Sequence, residues 1–387
     1  MITQLFILGA AAALADPMAL YDQALAARQQ GDAQRFLQAT GQLAEWAPTN
    51  PPLRFLRAEA LAMSGRTAAA LADLRWLADH GYHYAFWERT SFASLPVGPE
   101  TTALRAATTH NGQPSGKIAR LIRADIELNG EGIDAFAGGW IAGSMTTGHL
   151  HRIEASGATS VLWRETEPSR RMLGVRNDAG RRIVWACSTG PNEREPHSQL
   201  LRISLQPSGV QRFRFPDARS LCNDIALLPD GSVAVSDSER GAVLQLTPDG
   251  QWRTLVEPGT FGYPNGLTWL AAAQRLVVAD LRGLWTIDLE TARIAAVEAP
   301  EGTFVGSIDG LYAVDGDLLG IQNGVRPHRV VRIVLGDAAQ RVARVEIVAS
   351  NLPELAEMTT AAVGRGEITV LASSQLVQLV SSDSADD

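Results

Sequence analysis

The sequence predicts a mainly β protein, a six-bladed β-propeller preceded by a small all-α tetratricopeptide-like helical region. A short motif recurs six times between residues 131 and 361, at intervals of 42 to 50 residues. This interval is typical of a four-stranded propeller blade. The motifs begin at Glu131, Leu173, Asn223, Asn265, Asp309 and Thr359. Because equivalent positions in a ring of blades face one axis, we expect the polar members to meet there.

A second set of polar residues follows the motifs, each 13 to 15 positions later and at the end of an apolar run. They are Ser144, Ser188, Asp237, Asp280, Asn323 and Ser374. In the third repeat, Pro229-Asp230-Gly231 separates two runs of β-forming residues, which is typical of a hairpin. The second strand of each hairpin would return to the axis. We therefore expect Asp237, Asp280 and Asn323 to support the axial residues from a second layer.

Length and composition fit a propeller plus one further region. The chain has 387 residues, 45% of them hydrophobic and 20% charged, with a formal net charge of −8. Six blades need roughly 250 to 300 residues, which leaves about a hundred for the N-terminal region. No basic stripe is present, so a nucleic-acid partner is excluded, whereas an acidic balance is compatible with binding a cation.

The first residues resemble a signal peptide. Leu5 to Leu14 is an apolar run that closes with Ala13-Leu14-Ala15, and no Lys or Arg precedes it. We expect residues 1–15 to direct the protein to the periplasm or outside the cell; the alternative is a first buried helix of a cytoplasmic protein. No segment is long enough for a stable membrane span.

Residues 16–93 show helical periodicity. Tyr21 and Phe55 are 34 residues apart, as are Gly31 and Gly65, which is the tetratricopeptide period. These helices would form either a groove for a protein partner or a cap on the propeller. Residues 94–118, rich in Pro, Thr and Gly, are predicted to be a linker, residues 119–380 the propeller, and residues 381–387 a disordered acidic tail.

Four of the motifs resemble the metal-site loops of the gluconolactonase, senescence marker protein and luciferin-regenerating enzyme family. The resemblance covers residues 121 to 380. The loops are Asn129-Gly130-Glu131-Gly132-Ile133, Cys222-Asn223-Asp224-Ile225, Tyr263-Pro264-Asn265-Gly266-Leu267 and Ser307-Ile308-Asp309-Gly310-Leu311. The resemblance implies a central divalent cation, commonly calcium, with zinc or manganese as alternatives. Glu131, Asn265 and Asp309 would be primary ligands, and Asn223 a fourth ligand or a substrate contact.

Such a site supports hydrolysis. Calcium prefers hard oxygen ligands, and a bound cation would polarise the carbonyl of a lactone or ester. The resemblance makes Asp309 the best candidate for the catalytic base, ahead of Asp224 and Asp237. A non-catalytic propeller, in which helices and ring bind a ligand or a partner around a structural metal, is the alternative, because the propeller fold hosts both.

The substrate is expected to be a small and apolar molecule. Sugar-lactonase members of the family usually carry Arg where this chain has Leu221. Leu173 and Thr359 replace polar ligands at two of the six motifs, which suggests a less polar rim. Leu173, Leu221 and Thr359, together with Asn223, are therefore predicted substrate contacts for an apolar lactone or ester.

The chain has two cysteines, Cys187 and Cys222. Cys187 ends a strand of the second blade, and Cys222 precedes the third motif. The pair could form a disulfide across adjacent blades in an exported protein, or both could remain buried free thiols.

Overall fold

A computed structural model describes residues 17–192, 194–364 and 366–380. The predicted signal peptide and the predicted acidic tail lie outside the described residues. Five α-helices precede the first strand: α1 Pro17–Gln29, α2 Ala33–Trp46, α3 Pro51–Met63, α4 Thr67–Asp79 and α5 Pro99–Asn111. No helix in the described part of the chain is long and apolar enough to cross a membrane.

The helix boundaries follow local sequence signals. Asn50 caps α3, because its side-chain Oδ1 accepts a hydrogen bond from the backbone N–H of Leu53 at 3.0 Å, and Pro51 occupies the first helical turn. Gly31 and Gly65 have φ values of 70° and 71°, which glycine adopts without strain, and they end α1 and α3. The helices thus occur as predicted, and their tetratricopeptide character stays a prediction.

The segment predicted to be a linker contains helix α5. Pro99 lies at the start of this helix after the N-cap Gly98, where proline favours a helix because no backbone N–H is needed. Leu104 and Thr108, four residues apart, are buried on one face. Asn111 at the end of α5 donates a hydrogen bond to the carbonyl of Ala78 at 2.7 Å. The prolines that suggested a linker instead mark a helix start.

The rest of the described chain forms six antiparallel sheets of four strands, which confirms the six-bladed propeller. Blade 1 comprises β2 Gly130–Phe136, β3 Gly139–Ser144, β4 Leu150–Ile153 and β5 Thr159–Trp163. Blade 2 comprises β6 Arg171–Asp178, β7 Ile183–Thr189, β8 Gln199–Leu205 and β9 Ser208–Arg214. Blade 3 comprises β10 Cys222–Leu227, β11 Val233–Asp237, β12 Ala242–Leu246 and β13 Trp252–Val256.

Blades 4 to 6 complete the ring. Blade 4 comprises β14 Leu267–Leu270, β15 Arg275–Ala279, β16 Leu284–Ile287 and β17 Ile294–Ala296. Blade 5 comprises β18 Leu311–Val314, β19 Asp317–Gln322, β20 Arg329–Gly336 and β21 Arg341–Ser350. Blade 6 comprises β22 Met358–Gly364, β23 Glu367–Ala372, β24 Gln375–Leu379 and the first strand of the chain, β1 Ile118–Arg123. Pairing of β1 with β24 closes the ring between its two ends.

The first strand of each repeat is the innermost strand of its blade, and each contacts the inner strand of the next blade. Apolar side chains fill the space between neighbouring blades. One such cluster joins Val184 and Leu201 of blade 2 to Ile141 of blade 1. Apolar packing that stabilises the fold is therefore distributed around the ring.

The two cysteines form a disulfide between β7 of blade 2 and β10 of blade 3, with their Cα atoms 5.4 Å apart. Of the two alternatives, the structure therefore has the paired one. Both residues are completely buried among apolar side chains. The bond fixes the strand that carries Asn223, the residue next to Cys222.

Removing this disulfide is expected to destabilise the protein. The loop that it closes spans 35 residues, for which chain entropy predicts a loss of about 4 kcal/mol, or roughly 5 °C in Tm. The measurement is thermal unfolding of a double variant, Cys187→Ala with Cys222→Ala. Unfolding of the wild type in reductant separates the loss of the bond from the loss of sulfur packing. An unchanged Tm in both would contradict a disulfide in the native protein.

The helical region packs directly on the propeller. Tyr82, just after α4, shares an apolar cluster with Phe304 and Val325 of the loops beside blade 5. Its hydroxyl accepts a hydrogen bond from the guanidinium of Arg329 at 3.1 Å, and the backbone N–H of His83 donates to the carbonyl of Arg326 at 2.8 Å. The helices thus have the position of a cap, the second of the two roles expected for them.

Candidate active site

All six motifs lie at the start of the innermost strands. Glu131 and Asn223 are the second residues of β2 and β10, and Asn265 and Asp309 lie two residues before β14 and β18. A backbone feature singles out three of them. Asn129, Tyr263 and Ser307, each two positions ahead of Glu131, Asn265 and Asp309, have φ values of 43°, 53° and 51°. The same left-handed backbone occurs at hairpin turns elsewhere in the described chain, such as Ala137 and Asp315, so it marks a loop geometry that the three motifs share.

Asp309 is the centre of the polar contacts on this face. Its Oδ1 accepts a hydrogen bond from the side-chain amide of Asn265 at 2.8 Å. Its Oδ2 accepts one from the amide of Asn323 at 2.6 Å, and Asn323 also donates to the carbonyl of Met358 at 3.1 Å. Asp309 is only 7% exposed. Two amides therefore fix the orientation of this buried carboxylate, and Asn323 lies where the second polar layer was predicted.

Asn265 carries an oxygen that no hydrogen bond satisfies. Its amide nitrogen donates to Asp309, and its buried Oδ1 has no hydrogen-bond partner among the described residues. Leaving a buried carbonyl oxygen unpaired costs roughly 1 to 3 kcal/mol. Such an oxygen, next to a carboxylate, is the type of group that binds a hard cation.

Glu131 and Asp309 form an uncompensated pair of acidic groups. Burial raises the pKa of Glu131 well above its usual range, and the neighbouring Asp309 carboxylate raises it further. Burial also raises the pKa of Asp309 to about 7, although its hydrogen bonds from Asn323 and Asn265 favour the charged form. A bound cation would neutralise this repulsion. The residues present therefore fit the divalent cation that the resemblance implies.

The remaining donor is an amide. The nitrogen of Asn223 donates to the hydroxyl of Ser238 at 2.9 Å, and that hydroxyl donates to the carbonyl of Pro264 at 2.6 Å. This arrangement leaves the oxygen of Asn223 as its ligand atom. In the described part of the chain no three His, Cys, Asp or Glu residues are grouped as metal ligands. A cation here would thus depend on amide oxygens as well as on the two carboxylates.

A second charged cluster was not predicted from the sequence. The guanidinium of Arg176 on β6 forms an ion pair with Asp224 at 3.1 Å and lies 4.8 Å from the centre of the Tyr312 ring. Burial raises the pKa of Asp224, and Arg176 opposes that rise. Burial also raises the pKa of Tyr312 to about 12. Asp224 is therefore committed to an ion pair, which makes it less suited than Asp309 to act as a base. The sequence feature that could have indicated this cluster is Arg176, a charged residue inside an inner strand, three residues after Leu173.

The other predicted members of the second layer are Asp237 and Asp280. Their carboxylates accept hydrogen bonds from neighbouring loop residues. The Oδ1 of Asp237 accepts the backbone N–H of Leu221 at 2.9 Å. The carboxylate of Asp280 accepts hydrogen bonds from the Arg282 side chain and from the indole N–H of Trp285, at 2.8 and 2.9 Å. Their support of a metal site stays a prediction.

The helices cover the part of this face that carries Asn265, Asp309 and Asn323, whereas Glu131 does not line the covered space. A cavity of about 310 Å³ lies between α1 to α3 and the loops of blades 4 and 5. Asn265, Asp309 and Asn323 line its propeller side. Asn50, at the start of α3, holds the two parts together, because its side-chain amide donates to the carbonyl of Leu281 at 2.7 Å. The cavity thus places the candidate base opposite the helical region.

Leu173, Leu221 and Thr359 lie elsewhere. Leu173 is 7% exposed and packs in the cluster around the disulfide. The hydroxyl of Thr359 donates to the backbone carbonyl of Glu131 at 3.0 Å, which positions the first motif. None of the three lines the covered cavity, nor does Asn223. Their assignment as substrate contacts stays a prediction.

Similar solved structures show the propeller fold. A streptogramin B lyase is 14% identical over 67% of this chain and 96% of its own, with a TM-score of 0.51. A protein of unknown function from Bacteroides thetaiotaomicron is 9% identical over 70% of this chain and 72% of its own, also with a TM-score of 0.51. A gluconolactonase from Xanthomonas campestris is 13% identical over 70% of this chain and all of its own, with a TM-score of 0.48. No protein-family model matches the sequence. A search of curated proteins returns no match.

Proposed function

We propose that this protein is a cation-dependent hydrolase of the lactonase or esterase type, acting on a small lactone or ester. The observation that carries this proposal is the position of Asp309, a buried carboxylate oriented by Asn265 and Asn323 in the wall of a covered cavity. The similarity of four loops to those of the gluconolactonase family adds support. The fold alone decides nothing about activity.

Glu131, Asn223, Asn265 and Asp309 would hold the cation. Two carboxylates and two amide oxygens form a hard oxygen donor set, which suits calcium better than zinc, whose usual ligands include sulfur and nitrogen. When bound, the ion would polarise a substrate carbonyl and stabilise negative charge on its oxygen.

Asp309 would act as the general base. It would take a proton from the water that attacks the carbonyl carbon, and it would return this proton to the alkoxide when the ester C–O bond breaks. Burial raises the pKa of Asp309 to about 7 before a cation binds, and a bound cation would lower this pKa, so that the carboxylate would be ionised and able to accept a proton. Hydrogen bonds from Asn265 and Asn323 keep the carboxylate in a fixed orientation throughout.

Export to the periplasm or outside the cell is part of the same proposal. The Cys187–Cys222 disulfide supports it, since such bonds persist in oxidising compartments. Calcium is also readily available there for a weak site.

Calcium is expected to raise the Tm of the chelator-treated protein, because it binds only the folded arrangement of ligands. At a hundredfold excess over its Kd the stabilisation is about 2.7 kcal/mol, which for a protein of this size is roughly 3 °C. The measurement is a thermal-shift titration with calcium, manganese and zinc after chelation. The Glu131→Gln variant should lose most of the shift, whereas replacing the exposed Glu290 by Gln should not. The same shift in all three proteins would contradict the site.

A non-catalytic role in ligand binding is the alternative, and the cover of helices over the cavity is the observation that favours it. The two functions differ in turnover. A hydrolase releases acid from simple lactones and esters in a calcium-dependent manner, which a pH-stat or indicator assay detects. A binding protein would show the calcium shift without any acid release.

A further inference from the structure

The cavity above Asp309 has two walls of different chemistry that come from different parts of the chain. The propeller contributes the polar side chains of Asn265, Asp309 and Asn323. The helical region contributes a mainly apolar wall, with Tyr21 from α1, Leu43 and Trp46 from α2, and Leu53 from α3. A substrate that reaches Asp309 within this cavity therefore also contacts the helices.

From this arrangement we infer that helices α1 to α3 are the specificity wall of the active site and select uncharged lactones or esters with one apolar substituent. The inference rests on the proposed hydrolase function. It specifies which part of the chain contacts the variable part of the substrate, and which property of the substrate this part selects.

The wall is held rigidly against the propeller. The indole of Trp46 packs so closely on Gly262 that a Cβ atom at this glycine would overlap the ring. The guanidinium of Arg282 lies 5.2 Å from the centre of the same indole, and Asp280 holds Arg282 in place. Asn50, which is 1% exposed, ties α3 to the carbonyl of Leu281. Contacts on both sides thus fix the distance between wall and base.

The charge of the cavity argues for a neutral ligand. Asp280 and Asp309 line it, and among its described lining residues there is no Lys, Arg or His. Away from the proposed cation, a carboxylate or phosphate on the substituent would find no Lys, Arg or His among these lining residues, and Asp280 is already paired with Arg282. The helical wall therefore favours an uncharged substituent.

The supply of hydrogen bonds argues against a polyol. The Asn50 amide is already bonded to the Leu281 carbonyl, and the amide nitrogens of Asn265 and Asn323 are bonded to Asp309. Against the helical wall a polyhydroxylated substituent would find few polar partners for its hydroxyl groups, whereas an alkyl chain gains by burial on Leu43, Trp46 and Leu53. The volume of about 310 Å³ is at the lower end for a small-molecule pocket, so the alkyl chain must be short.

The test is a chain-length series of γ-lactones with calcium present. We expect kcat/KM for γ-octalactone to exceed that for γ-butyrolactone by about tenfold or more, because burial of only two of its four additional carbons, at roughly fourfold each, is enough for such a gain. Gluconolactone should be the poorer substrate. The Tyr21→Ala and Trp46→Ala variants should reduce the preference for the longer lactone severalfold. Replacing Asp22, an exposed residue on α1, by Ala should leave it unchanged.

Binding separates this inference from the proposed activity. Calorimetry with γ-octalactone should show binding to the wild type and, within a fewfold, to Asp309→Asn, with weaker binding to Tyr21→Ala. Binding with this pattern but without hydrolysis would refute the hydrolase and keep the apolar wall. Hydrolysis with equal kcat/KM across the series, and no change in correctly folded Tyr21→Ala and Trp46→Ala, would refute the wall and keep the hydrolase. No binding of γ-octalactone to the wild type would also overturn the inference.

Discussion

Replacing Asp309 with Asn is expected to lower kcat/KM about a hundredfold to ten-thousandfold, the usual contribution of a positioned general base. The substitution keeps the size of the side chain and removes both the proton acceptor and one anionic cation ligand. The measurement is calcium-dependent acid release from the best lactone of the γ-lactone series, with calcium raised until the rate no longer changes. Saturating calcium separates lost base catalysis from weakened cation binding.

The matched control is Asp315→Asn, an exposed aspartate in the turn between β18 and β19 of the same blade. Asp315 has a φ of 50°, and asparagine tolerates this left-handed conformation, so the control should fold and keep full activity. Activity of Asp309→Asn within threefold of the wild type would show that another group is the base. In that case Asp309 would retain only its role as a ligand.

The metal-free protein is expected to lose stability as the pH rises through about 7, because of Glu131 and Asp309. Burial raises both pKa values in the folded state, that of Asp309 to about 7, whereas an unfolded aspartate has a pKa of about 4. The folded protein therefore binds these protons more tightly. Their contribution to stability is fully present below pH 4 and is lost as the pH rises through the folded pKa.

The informative quantity is the difference in Tm between Asp309→Asn and the wild type. Without metal, the variant should be more stable by on the order of 5 °C at pH 8, and the difference should vanish near pH 4. Saturating calcium should reverse the order at pH 8, since the wild type alone keeps both carboxylate ligands. A difference in Tm that is independent of pH would show that these carboxylates are solvated and are not a strained acidic pair.

The contact between Asn265 and Asp309 was predictable because equivalent positions of neighbouring blades lie close together in a ring. Motifs 42 to 50 residues apart place Asn265 and Asp309 just before neighbouring inner strands, where a 2.8 Å hydrogen bond joins them. The same logic placed Asn323 one hairpin strand later, and it donates to the other oxygen of Asp309. Hairpin spacing is local, so a single sequence contains it.

Contacts that join distant segments were not predictable in the same way. The Arg176–Asp224 ion pair depends on which side chains fill the gap between two inner strands, and the sequence shows only an arginine and an aspartate in separate repeats. Helix α5 was missed because prolines and threonines suit both a linker and a capped helix start. In the folded protein, burial of Leu104 and Thr108 on one face stabilises the helical conformation of this segment.

The sequence by itself determined the six blades, the helical region and the closeness of Asn265 and Asn323 to Asp309, because strand period and turn chemistry are local properties. Only the tertiary structure decided that the helices cover the face carrying Asp309, and that Leu43, Trp46 and Leu53 lie in the wall opposite this carboxylate. The physical reason is that docking depends on surface shape between residues far apart in the chain. The packing of Trp46 on Gly262 and the hydrogen bond from Asn50 to the carbonyl of Leu281 form only after the helical region and the propeller have both folded.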